Sequence, residues 1–503
     1  MKPLRSNDHA KNSILSLIDY AVLPFLLLAM TPVLIRNFGA ERYGLWSLLL
    51  SLVGFSTLLN FGFADATTKF VAELRGRDNA SEARETVAIS LAIYLALASV
   101  SGIALFFVLP RLIGWPIRVS GGLVDDARLA MQVSAVIFGL RIVESDLSAS
   151  LWGFERYDFA TGARILLKGT IVGAAVLASV GTRSVADAMT MTCVGYALGC
   201  SIEYGLLVVV LGKPLFPKMG LGRARSMARF AILTWTQNAS GLIFSQADKI
   251  MIGTILGVTQ LGYYTVAVQI AQQIHSLIAA GASFVFPLAS RVSAGKMAKE
   301  DARGLYVRTT IFVALAASIL TLGVVLFSRE LVVAWVGESI GSNVSVLTVL
   351  LAFAYGLFAV NAIAPFYILN GTGRAGVQAV LSGTSASLMV LSLLVLVKRL
   401  GLVGAALARL PDAVVRAMAI RELNRRIFGV PQWFHVTHAI IPFLASTSVG
   451  MAVSLFGAPL GFLLSLPQLS LKGIVFIVVG AGVALLYRRF IVESRELVAG
   501  IPR

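Results

Sequence analysis

The chain has 503 residues, 57% of them hydrophobic and only 13% charged, with a mean hydropathy of +0.84 and a formal net charge of +17. Soluble domains charge about a quarter of their residues, so a soluble globular fold is excluded. The positive balance does not point to nucleic acid, because the basic residues fall between apolar runs and do not gather on one segment.

Residues 1–13, MKPLRSNDHAKNS, form a short polar tail with basic residues ahead of the first apolar run. That run is too long for a signal peptide and no small-residue cleavage pattern follows it, so it reads as a retained first span. About fourteen spans follow, each about twenty residues, the length that crosses a bilayer core. They lie near 14–36, 44–63, 87–109, 128–149, 164–180, 188–211, 230–254, 261–286, 307–327, 344–369, 376–397, 401–423, 436–457 and 471–490. The span at 164–180 is the least regular, because Lys168 sits in it. Lipid offers no partner to backbone N–H and C=O groups, which forces helices. The expected fold class is an all-α integral membrane protein.

Loop charges orient the spans. With the N-terminus in the cytoplasm, Lys2, Arg5, Lys11, Lys69, Arg75, Arg77, Arg84, Lys213, Lys218, Arg223, Arg225 and Arg229 fall inside. So do Arg291, Lys296, Lys299, Arg303, Arg308, Arg421, Arg425, Arg426, Arg488, Arg489 and Arg495. The other loops hold Arg42, Arg111, Arg118, Arg128, Arg183, Arg329, Lys398 and Arg399. A bias of roughly three to one predicts both termini in the cytoplasm.

The sequence repeats itself at an offset of about 218 residues. "NFGAERYGLWSL" parallels "TILGVTQLGYYTV", so Gly39 falls on Gly257 and Gly44 on Gly262. Gly62 falls on Gly281 and Arg84 on Arg303 with a slip of one residue. Six spans per copy return the chain to the same side, so the copies share an orientation and are related by an axis along the membrane normal. The expected organisation is a tail (1–13), an N-lobe of spans 1–6 (14–221), a C-lobe of spans 7–12 (222–430), and a further helix pair with a cytoplasmic tail (431–503).

The repeat also explains "NGTGRAG" at 370–376, which read alone is the glycine pattern of a dinucleotide-binding turn. The offset places it on "LWGFERYD", with Gly371 on Gly153 and Arg374 on Arg156. It follows a membrane helix rather than a strand, and no acidic partner on a βαβ unit accompanies it. The glycines are expected to form a tight turn between two spans where positive φ is needed.

Catalytic and metal signatures are sparse. His435 and His438 share a helix face without a carboxylate or cysteine to complete a metal set, and no GxSxG motif is present. Cys193 and Cys200 lie two turns apart on one helix and cannot bridge there. External loops are short, the longest near 110–127, so an enzyme is not expected; neither a cofactor nor a metal is implied.

Polar residues inside spans carry more information, because they cannot face lipid cheaply. Thr234, Asn238, Gly241, Ser245 and Asp248 form a stripe on span 7; Thr265, Gln269, Gln272, Ser276 and Ser283 form another on span 8. Close helix packing is the bland explanation; a water-filled cavity is the functional one. Arg141 and Glu144 lie three apart on span 4, with Asp146 close by, and Arg409, Asp412 and Arg416 form a ladder on span 12. Pairing along one helix competes with function for both groups. Asp248 and Lys249 point about 100° apart and cannot share one stripe. Cations facing a cavity suit phosphate, and Arg36, Arg141, Lys249 and Arg409 are the candidates. Asn238, Ser245, Gln269, Gln272 and Ser276 are the expected polar lining. Asp248, Asp19 and Asp65 are the expected ion-coupling carboxylates, with Glu203 a further buried acid.

"LIRNFGAERYGLWSLLLSLVGFSTLLNFGFADA" resembles the first-and-second-span region of Wzx-type polysaccharide flippases. "DKIMIGTILGVTQLGYYTVAVQIAQQIHSLIAAGASFVFPLASR" resembles their seventh-and-eighth-span region. This is the polysaccharide-export branch of the multidrug/oligosaccharidyl-lipid/polysaccharide (MOP) exporter superfamily. The resemblance implies two six-helix lobes around a cavity. It also implies transfer of undecaprenyl-diphosphate-linked oligosaccharide from the inner to the outer leaflet, usually coupled to a cation gradient. Membrane lipid and the polysaccharide polymerase machinery are the implied partners. The extra helix pair resembles the fourteen-span lipid II flippases, whose last pair forms a lipid groove. A multidrug or metabolite cation antiporter of the same superfamily is the alternative, and a membrane glycan polymerase or ligase a more distant one.

Overall fold

The computed structural model describes residues 6–218, 220–293, 299–456 and 466–499. Among them there is no β-strand, only one isolated bridge between Ile113 and Ile117. The chain divides into two compact units, 1–262 and 263–503.

The first unit holds α1 (Ser6–Gly54), α2 (Ser56–Leu59), α3 (Phe63–Gly76), α4 (Ala80–Val108), α5 (Val124–Gly153), α6 (Tyr157–Gly181), α7 (Val185–Leu211), α8 (Leu221–Ile255) and the start of α9 (Val258–Ala282). The second unit continues α9 and adds α10 (Val285–Ser293), α11 (Lys299–Leu326), α12 (Ser328–Val336), α13 (Glu338–Gly371), α14 (Ala375–Leu407), α15 (Leu410–Leu423), α16 (Ile441–Phe456) and α17 (Leu466–Ala499). Nine helices among the described residues are long and apolar enough to cross a membrane, and the bent pair α9–α10 makes a tenth. The sequence spans at 128–149, 230–254 and 401–423 fall on α5, on α8 and across the end of α14 and α15. These three stretches carry Arg141, Glu144, Asp146, Asp248, Lys249, Arg409, Asp412 and Arg416, which lowers their apolar character.

The repeat is visible in the local geometry of the chain. Span 1 and the first half of span 2 run together as α1, broken at Gly39 (φ 73°, ψ 172°), a left-handed position that glycine fills without a Cβ clash. Its counterpart Gly257 has φ 92° and separates α8 from α9. In the first unit Gly153, at the end of α5, packs on α3: an added Cβ would sit 2.7 Å from Val71 Cβ. In the second, Gly371, at the end of α13, packs on α10, and an added Cβ would sit 2.5 Å from Ala289 Cβ. Val71 and Ala289 are themselves separated by the repeat offset. The following turn uses Glu155 (φ 58°) in one unit and Gly373 (φ 75°) in the other, and both next helices start after an arginine, Arg156 and Arg374. NGTGRAG is therefore a helix-to-helix turn, as the repeat predicts.

Helix ends in the first unit are satisfied by side chains from neighbouring helices. The Asp126 carboxylate of α5 accepts from Val185 N (2.9 Å), Ala186 N (3.1 Å) and Ser184 Oγ, so an acid sits at the positive end of α7. Arg75 of α3 donates to Phe154 O (2.7 Å) and pairs with Glu155 (2.6 Å), clamping the end of α5. In the second unit, α11 packs against α13, α16 and α17. Tyr306 donates to Asn424 Oδ1 (2.8 Å) and stacks on Phe428 at 3.9 Å. The C-terminal pair is tied in at several points. Phe443 of α16 lies against Gly356, Phe476 of α17 against Gly323, and Lys472 of α17 forms an ion pair with Glu330 of α12.

Candidate functional site

The first unit contains a cavity of about 510 Å³. Its charged and hydrogen-bonding wall comes from four helices: Asp65 on α3, Arg141, Glu144, Ser145 and Ser148 on α5, Arg164 and Lys168 on α6, and Tyr196 on α7. Trp152, Trp235, Leu242, Leu23, Leu167 and Ile171 supply apolar and aromatic surface. Three cations and two carboxylates thus line one space inside a membrane helix bundle, where a charge costs roughly 2.5–3.5 kcal/mol on insertion scales.

The spacing explains how they converge. Arg141, Glu144, Ser145 and Ser148 recur at three and four residues, one face of α5. Arg164 and Lys168 are four apart on α6. Arg141 donates through one terminal nitrogen to Tyr196 Oη at 3.0 Å. Its Nε is buried and has no hydrogen-bond partner among the described residues. A buried guanidinium N–H without a partner is expensive unless something else occupies it. Arg141 and Glu144 form no ion pair at salt-bridge distance, so pairing along α5 does not consume the arginine. Arg164 stacks over Trp152 at 4.9 Å, which fixes its plane against the cavity wall. Asn60 donates to Ser145 Oγ (2.8 Å) and Trp235 Nε1 to Leu58 O (2.7 Å), tying the short α2 region to α5 and α8.

Of the residues singled out in the sequence, Arg141, Glu144, Asp65 and Ser245 line this cavity. Arg36 is exposed and does not line it. Asp248 is buried and accepts from Lys249 N (2.8 Å), while Lys249 Nζ reaches Gln246 Oε1 at 3.4 Å; neither lines the cavity. Asp19 and Asn238 lie on α1 and α8, and their side chains are outside those described. Gln269, Gln272 and Ser276 lie on α9 in the second unit, with Gln272 exposed and the Gln269 carbonyl accepting from Gln273 Nε2 (3.2 Å). Arg409, also in the second unit, is buried and sits over the Tyr355 ring at 4.5 Å. The Asp412–Arg416 part of its ladder pairs along α15, with Arg416 Nε 3.2 Å from both carboxylate oxygens.

Arg164 and Tyr196 are cavity residues that the sequence reading does not single out, and Lys168 stands there only as an irregularity in its span. The i, i+4 pair on α6 was a usable signal; the partnership of Arg141 with Tyr196, 55 residues away, was not.

The sequence profile of the family described as "Polysaccharide biosynthesis protein" matches residues 10–293, more than half of the chain. The chain belongs to this family. It is 22% identical over 430 residues to the "Putative O-antigen transporter" of Shigella flexneri, covering 84% of this chain and 98% of that protein. Among solved structures it is similar to the lipid II flippase MurJ in an inward closed conformation. The TM-score is 0.66 at 13% identity, over 96% of this chain and 100% of the other. It is also similar to a multidrug resistance MATE family transporter of the MOP superfamily in an inward-facing conformation. Here the TM-score is 0.65 at 14% identity, over 82% and 99% of the two chains. At these identities the structural likeness establishes the fold alone: a bundle of membrane helices like those of these transporters.

Proposed function

We propose that this family member flips a diphosphate-linked oligosaccharide lipid from the inner to the outer leaflet for surface polysaccharide synthesis, with undecaprenyl as the lipid. The observation that carries the reading is the cationic cavity of the first unit, where Arg141, Arg164 and Lys168 face the same space and Arg141 Nε has no described partner. A diphosphate has the charge and the acceptor oxygens to satisfy those donors, arginine as a fork and lysine as a point charge. The aromatic walls at Trp152 and Trp235 suit sugar rings or the first isoprene units. The family match and the likeness to an O-antigen transporter point to the same cargo class. The protein acts as a transporter rather than an enzyme.

Transfer proceeds by alternating access: the prenyl tail stays in lipid while the charged headgroup crosses in the polar cavity. Arg36, Lys249 and Arg409 extend the anion-binding set. Ser245 joins the cavity lining, and Asn238, Gln269, Gln272 and Ser276 complete the polar lining. Coupling is to a cation gradient, with Asp65, Asp248 and Asp19 as carboxylates able to take it up. Residues 14–221 and 222–430 act as the two lobes, with 431–503 as an appended pair. The protein resides in the bacterial inner membrane with both termini in the cytoplasm, where membrane lipid and the polysaccharide polymerase machinery are its partners.

Complementation of a deletion strain tests the reading. Arg141→Ala and Lys168→Ala, at normal membrane levels, are expected to leave cells without surface polysaccharide and with lipid-linked repeat units accumulated inside. Normal polysaccharide in both variants overturns the diphosphate site. Drug sensitivity with an intact polysaccharide coat assigns the protein to the multidrug or metabolite antiporters instead.

A further inference from the structure

Behind the wall of the same cavity lies a second polar assembly. Glu144 and Ser148, one turn apart on α5, line the cavity; Glu203, on the adjacent α7, does not. Glu203 is 1% exposed and Glu144 8%. The Ser148 hydroxyl lies 2.7 Å from Glu203 Oε1 and 3.5 Å from Glu144 Oε1, so a single hydroxyl links two carboxyl groups. Glu203 Oε2 is buried without a hydrogen-bond partner among the described residues.

This arrangement is under-supplied with hydrogens if both acids are ionised. A serine hydroxyl donates once, and two carboxylates offer far more acceptor sites than that. A carboxylate oxygen sealed in a helix bundle with no donor carries the full desolvation penalty. One added proton removes the conflict. With the proton on Glu203, its O–H donates to Ser148 Oγ and the serine O–H donates on to Glu144.

We infer that Glu144, Ser148 and Glu203 form a proton-relay site that stores one proton at Glu203 and exchanges it with the cavity through Glu144. The exchange is balanced. Ser148 passes its hydrogen to Glu144 as it receives one from Glu203, and no group other than the two carboxyls changes charge. The inference rests on the cavity being the cargo site, because Glu144 sits one turn from Arg141. An anion held on Arg141 brings negative charge beside the relay and favours its protonated form, which couples cargo occupancy to the proton.

The neighbouring charges are consistent with a discrete site. On α5 itself stand Arg141 and, on another face, Asp146, which accepts from Ser90 of α4 and so belongs to a separate network with Thr67 of α3. From α7 come Tyr196, held by Arg141, Tyr204, which donates to Leu215 O, and Cys200, whose thiol donates to Leu140 O. From α6 come Arg164 and Lys168, and from α3 Asp65. Tyr94 of α4 is buried on the Asp146 side of the helix.

The test is infrared difference spectroscopy on the full-length protein reconstituted in lipid. Wild-type protein is expected to show the C=O stretch of a protonated carboxyl at neutral pH. Glu203→Gln removes it, and Ser148→Ala shifts it because its hydrogen-bond partner is gone. Asp146→Asn leaves it in place. A band that survives Glu203→Gln and vanishes in Asp146→Asn, or the absence of any such band in wild type, overturns the relay. If Glu203→Gln does not insert, Ser148→Ala alone decides, since a structural serine would not move a carboxyl band. Added inorganic pyrophosphate is then expected to increase the Glu203 band in wild type. A band that responds to Ser148→Ala but not to pyrophosphate, in protein that does not bind pyrophosphate, keeps the relay and rejects the cargo site. Pyrophosphate binding without any change in the band rejects the coupling.

Discussion

Gly44 and Gly262 stand at equivalent positions of the repeat and are packed against each other by an exchanged contact. A Cβ on Gly44 would overlap the carbonyl oxygen of Val258 and lie 2.8 Å from Gly262 N; a Cβ on Gly262 would overlap the carbonyl oxygen of Ala40. Ala40 and Val258 are also repeat partners. The second segment of α1 and the first turn of α9 thus approach backbone to backbone, which small residues alone permit in a membrane.

Gly44→Ala and Gly262→Ala are therefore expected to behave alike. The obstructing atoms are main chain and cannot rotate aside, so each change destabilises by about 1–3 kcal/mol or more. Gly162→Ala, on α6 with open space around it, is the control and leaves stability unchanged. Thermal unfolding in detergent, followed by tryptophan fluorescence, measures all three.

Arg141 is the test of the anion site in isolation. Trp152 and Trp235 line the cavity, so their fluorescence reports occupancy by inorganic pyrophosphate. Loss of a charge-assisted hydrogen bond is worth about 1.5–3 kcal/mol, so Arg141→Ala weakens binding by about ten- to a hundredfold. Arg141→Lys restores only part, because a point charge replaces a fork. Glu144→Gln binds pyrophosphate more tightly than wild type. Equal affinities across the series reject an anion site at Arg141.

The Asp412–Arg416 pair is buried on both sides, 1% and 6% exposed. Asp412→Ala strands a buried guanidinium and costs about 3–5 kcal/mol. The double variant Asp412→Ala with Arg416→Met recovers most of that loss, since no charge remains unpaired. A double-variant melting temperature no higher than that of Asp412→Ala alone contradicts the account.

In NGTGRAG the three glycines should separate. Gly373→Ala places a Cβ at φ 75° and costs about 1–2 kcal/mol. Gly371→Ala meets Ala289 Cβ and Phe286 O and costs more. Gly376→Ala enters open space on a helix and is neutral or slightly stabilising. Titration with NAD and ATP is expected to give no binding; saturable binding lost in all three variants would restore the nucleotide reading.

Much of the fold is written in local pattern. Lipid leaves helices as the available form, and glycines at a fixed offset announce the breaks at Gly39 and Gly257 because left-handed geometry favours glycine. The cavity is less legible. Arg141 stood out as a charge in an apolar run, and Asp65 and Ser245 by type. Lys168 reads in sequence as a blemish in a weak span, and Arg164 as a residue at its edge. Only the packing of α6 against α1 and α7 turns the pair inward. The link from Ser148 to Glu203 has no sequence signature, since it depends on the register of two helices 55 residues apart.

The ion pair between Lys472 and Glu330 bears on how the chain can be shortened. Both side chains are mostly buried, at 16% and 19% exposure, and Glu330 Oε2 has no hydrogen-bond partner among the described residues. A stop codon ahead of residue 466 would orphan that carboxylate inside the bundle. A shortened chain therefore needs Glu330→Gln as well, which removes the stranded charge.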